Sequence, residues 1–230
     1  MQSKRPYISI VIPTLNEEKN IGRVLREAER ELKEYPYEII VVDGGINGPS
    51  KDKTVAIAKK EGAGVLYDNK GKGSALIKGF NAAKGAIIIS MDADLSHEPR
   101  ELRLLISGIE AGHDVCLGSR FIAGGGSSDM PIFRVFGNKV FVTLVNLIYG
   151  SRYSDMCYGY RSFRKEVLKK LDLREEGFGI ETEINIKAQK AHLNTIEVPS
   201  FEKKRLHGEA KLHSFRDGYI ILRTIAKNLF

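Results

Sequence analysis

Two carboxylates stand two residues apart, with a hydroxyl two further on, in Asp92-Ala93-Asp94-Leu95-Ser96. Oxygen ligands on a short turn suit a hard divalent ion, Mg2+ or Mn2+, whose remaining positions diphosphate oxygens can fill. Two ionised groups at a strand end also imply an open crevice, because burying a lone carboxylate is very costly. The plainer alternative is a helix cap, with Asp94 or Ser96 closing a helix that starts near Pro99. The run before the pair, 86–89, is unbroken and apolar, which reads as a strand buried on both faces of a parallel sheet.

Further residues with chemistry recur at regular places, and the elements that position them alternate. A β-branched strand over 7–13 ends at Pro13 and Thr14, followed by Asn16 and Glu17. The pattern predicts a helix from an Asn16 cap to about residue 33, with Ile21, Val24, Leu25, Ala28 and Leu32 on one stripe. A strand over 38–42 leads to Asp43, a helix spans 53–61, and a strand spans 64–67. Lys70-Gly71-Lys72-Gly73-Ser74 opens a helix through 83, which returns to the central strand. This alternation predicts a doubly wound, mostly parallel sheet flanked by helices, with ligands at the strand carboxyl ends. Glu17, Asp43, Lys72, Asp92 and Asp94 all fall at such ends or just beyond them.

The 230 residues, 42% hydrophobic and 28% charged, are enough for a full α/β core. With no apolar run of bilayer length and with Lys4-Arg5 leading into a strand, neither a membrane span nor a signal peptide is expected. Cys116 and Cys157 lack metal or redox spacing, which fits a reducing cytosol. The net charge of +7 favours an anionic partner, nucleotide phosphate or anionic lipid. No nucleic-acid motif accompanies it, so nucleic acid is not expected.

In the second half a strand runs into Gly118-Ser119-Arg120. The tract 124–128 reads as a linker or a mobile flap. Residues 132–149 read as a helix with Phe133, Phe136, Phe141, Leu144, Val145 and Ile148, either core or lying on a membrane. Glu181 and Glu183 precede a helix to about 190, a strand covers 194–198, and 203–211 is a basic loop. Residues 215–230 are amphipathic, with Phe215, Tyr219, Leu222, Ala226 and Leu229 on one stripe; they form a core-covering or an interfacial helix.

Taken in order, Val11-Ile12-Pro13-Thr14-Leu15-Asn16-Glu17, Val41-Val42-Asp43-Gly44-Gly45, Gly71-Lys72-Gly73 and Met91-Asp92-Ala93-Asp94-Leu95 resemble the family 2 glycosyltransferases with the GT-A fold. Gly118-Ser119-Arg120-Phe121 and Asp155 with Gly159-Tyr160-Arg161 make the dolichyl-phosphate mannose and glucose synthases the most similar branch. The resemblance reaches Lys211 and implies a catalytic domain over 1–212, followed by an amphipathic segment over 213–230. It departs at 46–51, a longer loop than usual before Asp52-Lys53-Thr54, and at Ser96, where some relatives carry a Gln metal ligand.

The resemblance implies inverting transfer of a hexose from a nucleoside-diphosphate sugar, GDP-mannose or UDP-glucose in type. Asp94, with Asp92 and Ser96, would hold Mg2+ or Mn2+, and Arg205 and Lys211 would close on the diphosphate. Pro13, Thr14, Glu17, Asp43 and Lys72 would hold the nucleoside. A polyprenyl phosphate acceptor is largely dianionic at neutral pH and needs cations, here Arg120 and Arg134, rather than a base. A hydroxyl acceptor would need a carboxylate base from Asp155, Glu181 or Glu183. The expected setting is peripheral, on the cytoplasmic face of a membrane. The other readings are transfer to a glycan hydroxyl and a non-catalytic module that binds nucleotide sugars.

Overall fold

The computed structural model describes residues 5–205 and 214–229. Its strands and helices alternate as β1 (Ile8–Thr14), α1 (Ile21–Leu32), β2 (Tyr37–Asp43), α2 (Thr54–Lys60), β3 (Gly64–Tyr67), α3 (Lys72–Ala82) and β4 (Ile87–Ser90). Then come α4 (Leu102–Glu110), β5 (Val115–Ser119), β6 (Gly126–Ser127), α5 (Ile132–Tyr149), β7 (Arg161–Arg164), α6 (Lys165–Leu171), α7 (Ile180–Lys190), β8 (Thr195–Pro199), β9 (Phe201–Glu202) and α8 (Ser214–Lys227). The main sheet has the order β3-β2-β1-β4-β7-β5-β8. It is parallel except for β7, which runs antiparallel to both β4 and β5.

Helices cover both faces, which is why the apolar run of β4 is buried throughout. Ile87 and Ile89 join one core with Ile10, Ile12, Leu25 and Leu105. Ile88 points the other way, into a second core with Val11, Phe80, Phe163 and Ile184. The expected α/β class is present, with the acidic turn leaving a central strand.

Five expectations need correction. The first helix begins at Ile21, because Asn16 adopts a left-handed backbone (φ 55°) and its side chain accepts the Lys51 N–H at 2.8 Å instead of capping helical amides. The tract 124–128 contains a strand: Gly126 and Ser127 pair in parallel with Phe201 and Glu202. Helix α5 is no core helix; only Asn138 and Val145 are buried along it, while Ile132 is 87%, Phe136 70% and Leu147 79% exposed. By length and composition it is also apolar enough to cross a membrane, contrary to the expectation of no such segment. On α8 the anticipated stripe faces outward, with Tyr219, Leu222 and Leu229 exposed. The helix packs instead through Ile221 and Ile225 against α5 and α7.

Candidate active site

At the carboxyl edge of the sheet, Thr14 and Asp43 lie side by side in register on β1 and β2. Asp43 is fully buried. Its carboxylate accepts from the Thr14 hydroxyl (3.2 Å), the Ser50 hydroxyl (2.5 Å) and the Ser50 N–H (2.9 Å). The long loop folds back over this group and is stitched to 16–18: Ser50 Oγ accepts the Asn16 N–H at 2.7 Å, and Thr54 Oγ1 accepts the Glu17 N–H at 2.7 Å. Glu17 also accepts from Asn20 Nδ2 at 2.8 Å. Pro13 is half-buried beside Thr14. In this arrangement Asp43 anchors the loop and presents no face to a nucleoside. Ser50→Ala is expected to lower stability by about 1.5–3 kcal/mol, the value of a hydrogen bond to a buried charge. Urea unfolding with an unchanged m-value would measure it.

Lys72 is the centre of a second group. Its Nζ lies 2.9 Å from Asp92 Oδ1 and 2.9 Å from Glu181 Oε1 of α7. The start of α3 that carries it is packed under the 175–177 backbone: a Cβ on Gly73 would meet the Glu175 carbonyl oxygen at 2.1 Å, so only glycine fits. Gly159 closes the group from above, where an added Cβ would stand 3.2 Å from Lys72 Nζ and 3.4 Å from Asp92 Oδ2. Burial opposes the Lys72 charge, but Asp92 and Glu181 outweigh it and hold the ammonium above the ordinary lysine range. Asp92 is likewise held well below the usual carboxylate range: Lys72, followed by His97, overcomes the effect of burial.

His97 supports Asp92 from below. The Asp92 N–H donates to His97 Nδ1 at 3.1 Å, which places the neutral ring's proton on Nε2, 3.7 Å from Asp92 Oδ2. The ring is stacked on Tyr160 (centroids 4.5 Å apart) and meets Tyr158 edge-on (4.8 Å). Burial lowers its pKa against the pull of Asp92 and Asp94.

Asp94 begins a tight turn in which its Oδ1 accepts the Ser96 N–H at 3.0 Å. Leu95 is left-handed there (φ 65°), a costly conformation for leucine that its buried side chain holds in place. Asp94 Oδ2 is ion-paired with the Arg205 guanidinium, whose Nε lies 3.0 Å away. Ser96 is buried and contributes its backbone to this turn.

Asp92 and Asp94 bring hard oxygen donors together at one turn, a donor type that suits Mg2+ or Mn2+, although each carboxylate is met here by a protein cation. Among the described residues no three His, Cys, Asp or Glu side chains are arranged to hold a metal ion by themselves. The remaining ligands would come from water or from a bound diphosphate.

Three other expectations meet a different geometry. Arg120 and Asp155 are each other's partner: Nε–Oδ2 is 2.7 Å and Nη2–Oδ1 is 2.9 Å, in a buried two-point pair. Arg120 Nη1 also reaches Glu202 at 3.1 Å, and its guanidinium lies 4.6 Å from the Tyr158 ring centroid. Burial works against the Arg120 charge, yet Asp155 and then Glu202 hold its pKa above the ordinary value. Neither Arg120 as a phosphate ligand nor Asp155 as a base is open to an acceptor here. Glu183, two residues from Glu181 on a helix, points to the opposite side. It accepts the Arg174 and Glu175 N–H groups and pairs with Lys187 at 2.7 Å. It lines a separate cavity of about 690 Å3 between α6, α7 and the end of α8. Arg134 is half-buried in the first turn of α5. Lys211 lies outside the described residues.

Ser50, His97 and Glu202 join the site without having been expected there, and Gly159 was expected only as part of a motif. Of the first three only His97 had a visible signal, an imidazole three residues beyond Asp94.

Comparison with known proteins places these residues in context. A family model described as Glycosyl transferase family 2 matches residues 9–172. The chain is 34% identical over 209 residues to the dolichol-phosphate mannosyltransferase of Pyrococcus furiosus, spanning 89% of this chain but only 59% of that protein. It is 30% identical over 214 residues to the polyprenol monophosphomannose synthase of Mycolicibacterium smegmatis, covering 88% of this chain and 80% of that protein. Among solved structures, glucosyl-3-phosphoglycerate synthase from Mycobacterium tuberculosis, held with Mn2+, UDP and glucosyl-3-phosphoglycerate, superposes with a TM-score of 0.76 at 21% identity. That match covers 97% of this chain and 80% of that one and speaks for the GT-A fold.

Proposed function

The chain belongs to glycosyl transferase family 2, and on that premise we propose that it moves a hexose from a nucleoside-diphosphate sugar to a polyprenyl phosphate. The observation that carries this reading is the state of the candidate bases. Asp155 is bound by Arg120, Glu181 by Lys72, and Glu183 by Lys187 and two amides. A hydroxyl acceptor needs a carboxylate to take its proton. A phosphate monoester arrives already ionised and needs none. The names of the Pyrococcus and Mycolicibacterium relatives point the same way.

In this proposal Asp94 and Asp92 hold Mg2+ or Mn2+, with Ser96 shaping the turn; the metal, when bound, neutralises charge on the leaving diphosphate. Lys72 fixes Asp92, His97 orients it, and Arg205 and Lys211 bind the diphosphate. Thr14, Pro13 and Glu17 border the nucleoside, while Asp43 holds the loop that walls it. Arg134 of α5 is the cation offered to the acceptor phosphate. The test is transfer with Mn2+ or Mg2+ from GDP-mannose, UDP-glucose or UDP-N-acetylglucosamine to dolichyl phosphate, beside dolichol itself. Product from the phosphate alone is expected, and one donor will dominate. Transfer to the alcohol or to a soluble glycan would overturn the acceptor assignment.

The same proposal makes the enzyme peripheral at a membrane, seated on the exposed side chains of α5 and α8. Phe133, Phe136 and Leu147 lie outward on one helix, and Tyr219 and Leu222 on its neighbour. A combined Phe133→Glu, Phe136→Glu variant is expected to lose about tenfold or more in partition to phosphatidylglycerol-containing vesicles, measured by flotation, given the apolar area each ring buries.

A further inference from the structure

Asp92 and Asp94 are held in unlike ways. Lys72, the partner of Asp92, is clamped from two sides by β4's turn and α7. Arg205, the partner of Asp94, is partly exposed and comes from a segment fastened to the same acidic turn. The Lys203 N–H donates to the Ser96 carbonyl at 2.9 Å, Lys203 Nζ pairs with Glu98, and the Lys204 N–H donates to Ser128 Oγ at 2.9 Å. The guanidinium thus reaches from a backbone fastened at Lys203 and Lys204 to the carboxylate that the proposed reading gives to the metal.

We propose that Arg205 makes metal binding conditional on the diphosphate: it occupies the seat on Asp94 until a metal and a diphosphate arrive together, then transfers to the diphosphate. This rests on the reading of Asp94 as a metal ligand. The charges supply the reason. Among the described residues three carboxylates, Asp92, Asp94 and Glu181, are faced by two cations, Lys72 and Arg205. A bare divalent ion must displace a guanidinium 3.0 Å from Asp94 and settle beside Lys72, so both cations oppose it. A diphosphate reverses that balance, because the released guanidinium exchanges one oxyanion for another and its planar fork matches phosphate oxygens. Lys72 cannot serve in this way, since leaving would strand two carboxylates.

The test is Mn2+ titration, followed by the electron paramagnetic resonance signal of the free ion, with and without saturating UDP or GDP. Arg205→Ala is expected to bind bare Mn2+ about two- to fivefold more tightly than the wild type, the range of a partly exposed ion pair. The same variant gains less Mn2+ affinity on nucleotide addition. Arg205→Lys keeps the charge and is expected to hold the wild-type affinity for bare Mn2+ while losing part of the nucleotide gain. Bare Mn2+ affinity that is unchanged or weaker in Arg205→Ala overturns the proposal, as does an undiminished nucleotide gain in Arg205→Lys, which decides the matter should the alanine variant not fold. Asp94→Asn separates the two layers: if it binds Mn2+ as well as the wild type, the metal seat itself is wrong.

Discussion

Asp94→Asn is expected to remove sugar transfer almost completely, about a thousandfold or more in kcat/KM, because charge neutralisation of the leaving diphosphate would be lost. Asparagine is close to isosteric, and its carbonyl can still accept the Ser96 N–H that shapes the turn. What disappears is the charge that faces Arg205 and that the proposed reading gives to the metal. The ion pair with Arg205 is partly exposed, so stability should change by less than about 1 kcal/mol. Single-turnover transfer of labelled sugar, run beside thermal melts, separates the two effects. A variant that keeps more than about a tenth of its activity would take the metal away from Asp94.

Arg120→Met is expected to act on stability. Its removal leaves Asp155 buried without its two-point partner, which typically costs about 3–5 kcal/mol. For a chain of this size that is a fall of about 10 °C in Tm. A side chain devoted to acceptor phosphate would behave differently, weakening the KM for acceptor and leaving the melt alone. Arg120→Met combined with Asp155→Leu should be less destabilised than the sum of the single changes, because the double variant no longer buries an unpaired Asp155, although Glu202 still loses its cation.

The sheet could be read from the chain because its signals are local. An apolar run such as 86–89, bounded by Gly85 and an acidic turn, reads as an interior strand, and alternating helix stripes suggest parallel crossovers. The acidic turn was legible for the same reason, since Asp92 and Asp94 sit where a strand must end. What sequence did not disclose depends on contacts far apart in the chain. Arg120 and Asp155 are 35 residues apart, and nothing in either motif reveals that they neutralise each other. Asp43 was legible as a strand-end carboxylate, but its closure by Ser50 depends on the path of a loop with no periodicity. Glu181 and Glu183 look like a pair on paper, yet helical geometry sends them to opposite sides. Whether helix α5 was core or lay on a membrane stayed open in the sequence, because hydrophobic side chains report that a surface wants covering, without reporting what covers it.

The antiparallel strand β7 also bears on the order in which the molecule can form. Residues 8–90 can build β3-β2-β1-β4 from near neighbours, but β4 then ends in an open edge until Arg161–Arg164 has been synthesised. Strand β5, made earlier, has no direct pairing with β4 and joins the sheet only through β7. A nascent chain emerging from the ribosome therefore carries Lys72 and the acidic turn well before Gly159 and Glu181 arrive to enclose them. Until then β4, paired with β1 on one side, leaves its other edge open along three isoleucines, the kind of edge that invites misassembly in a growing chain.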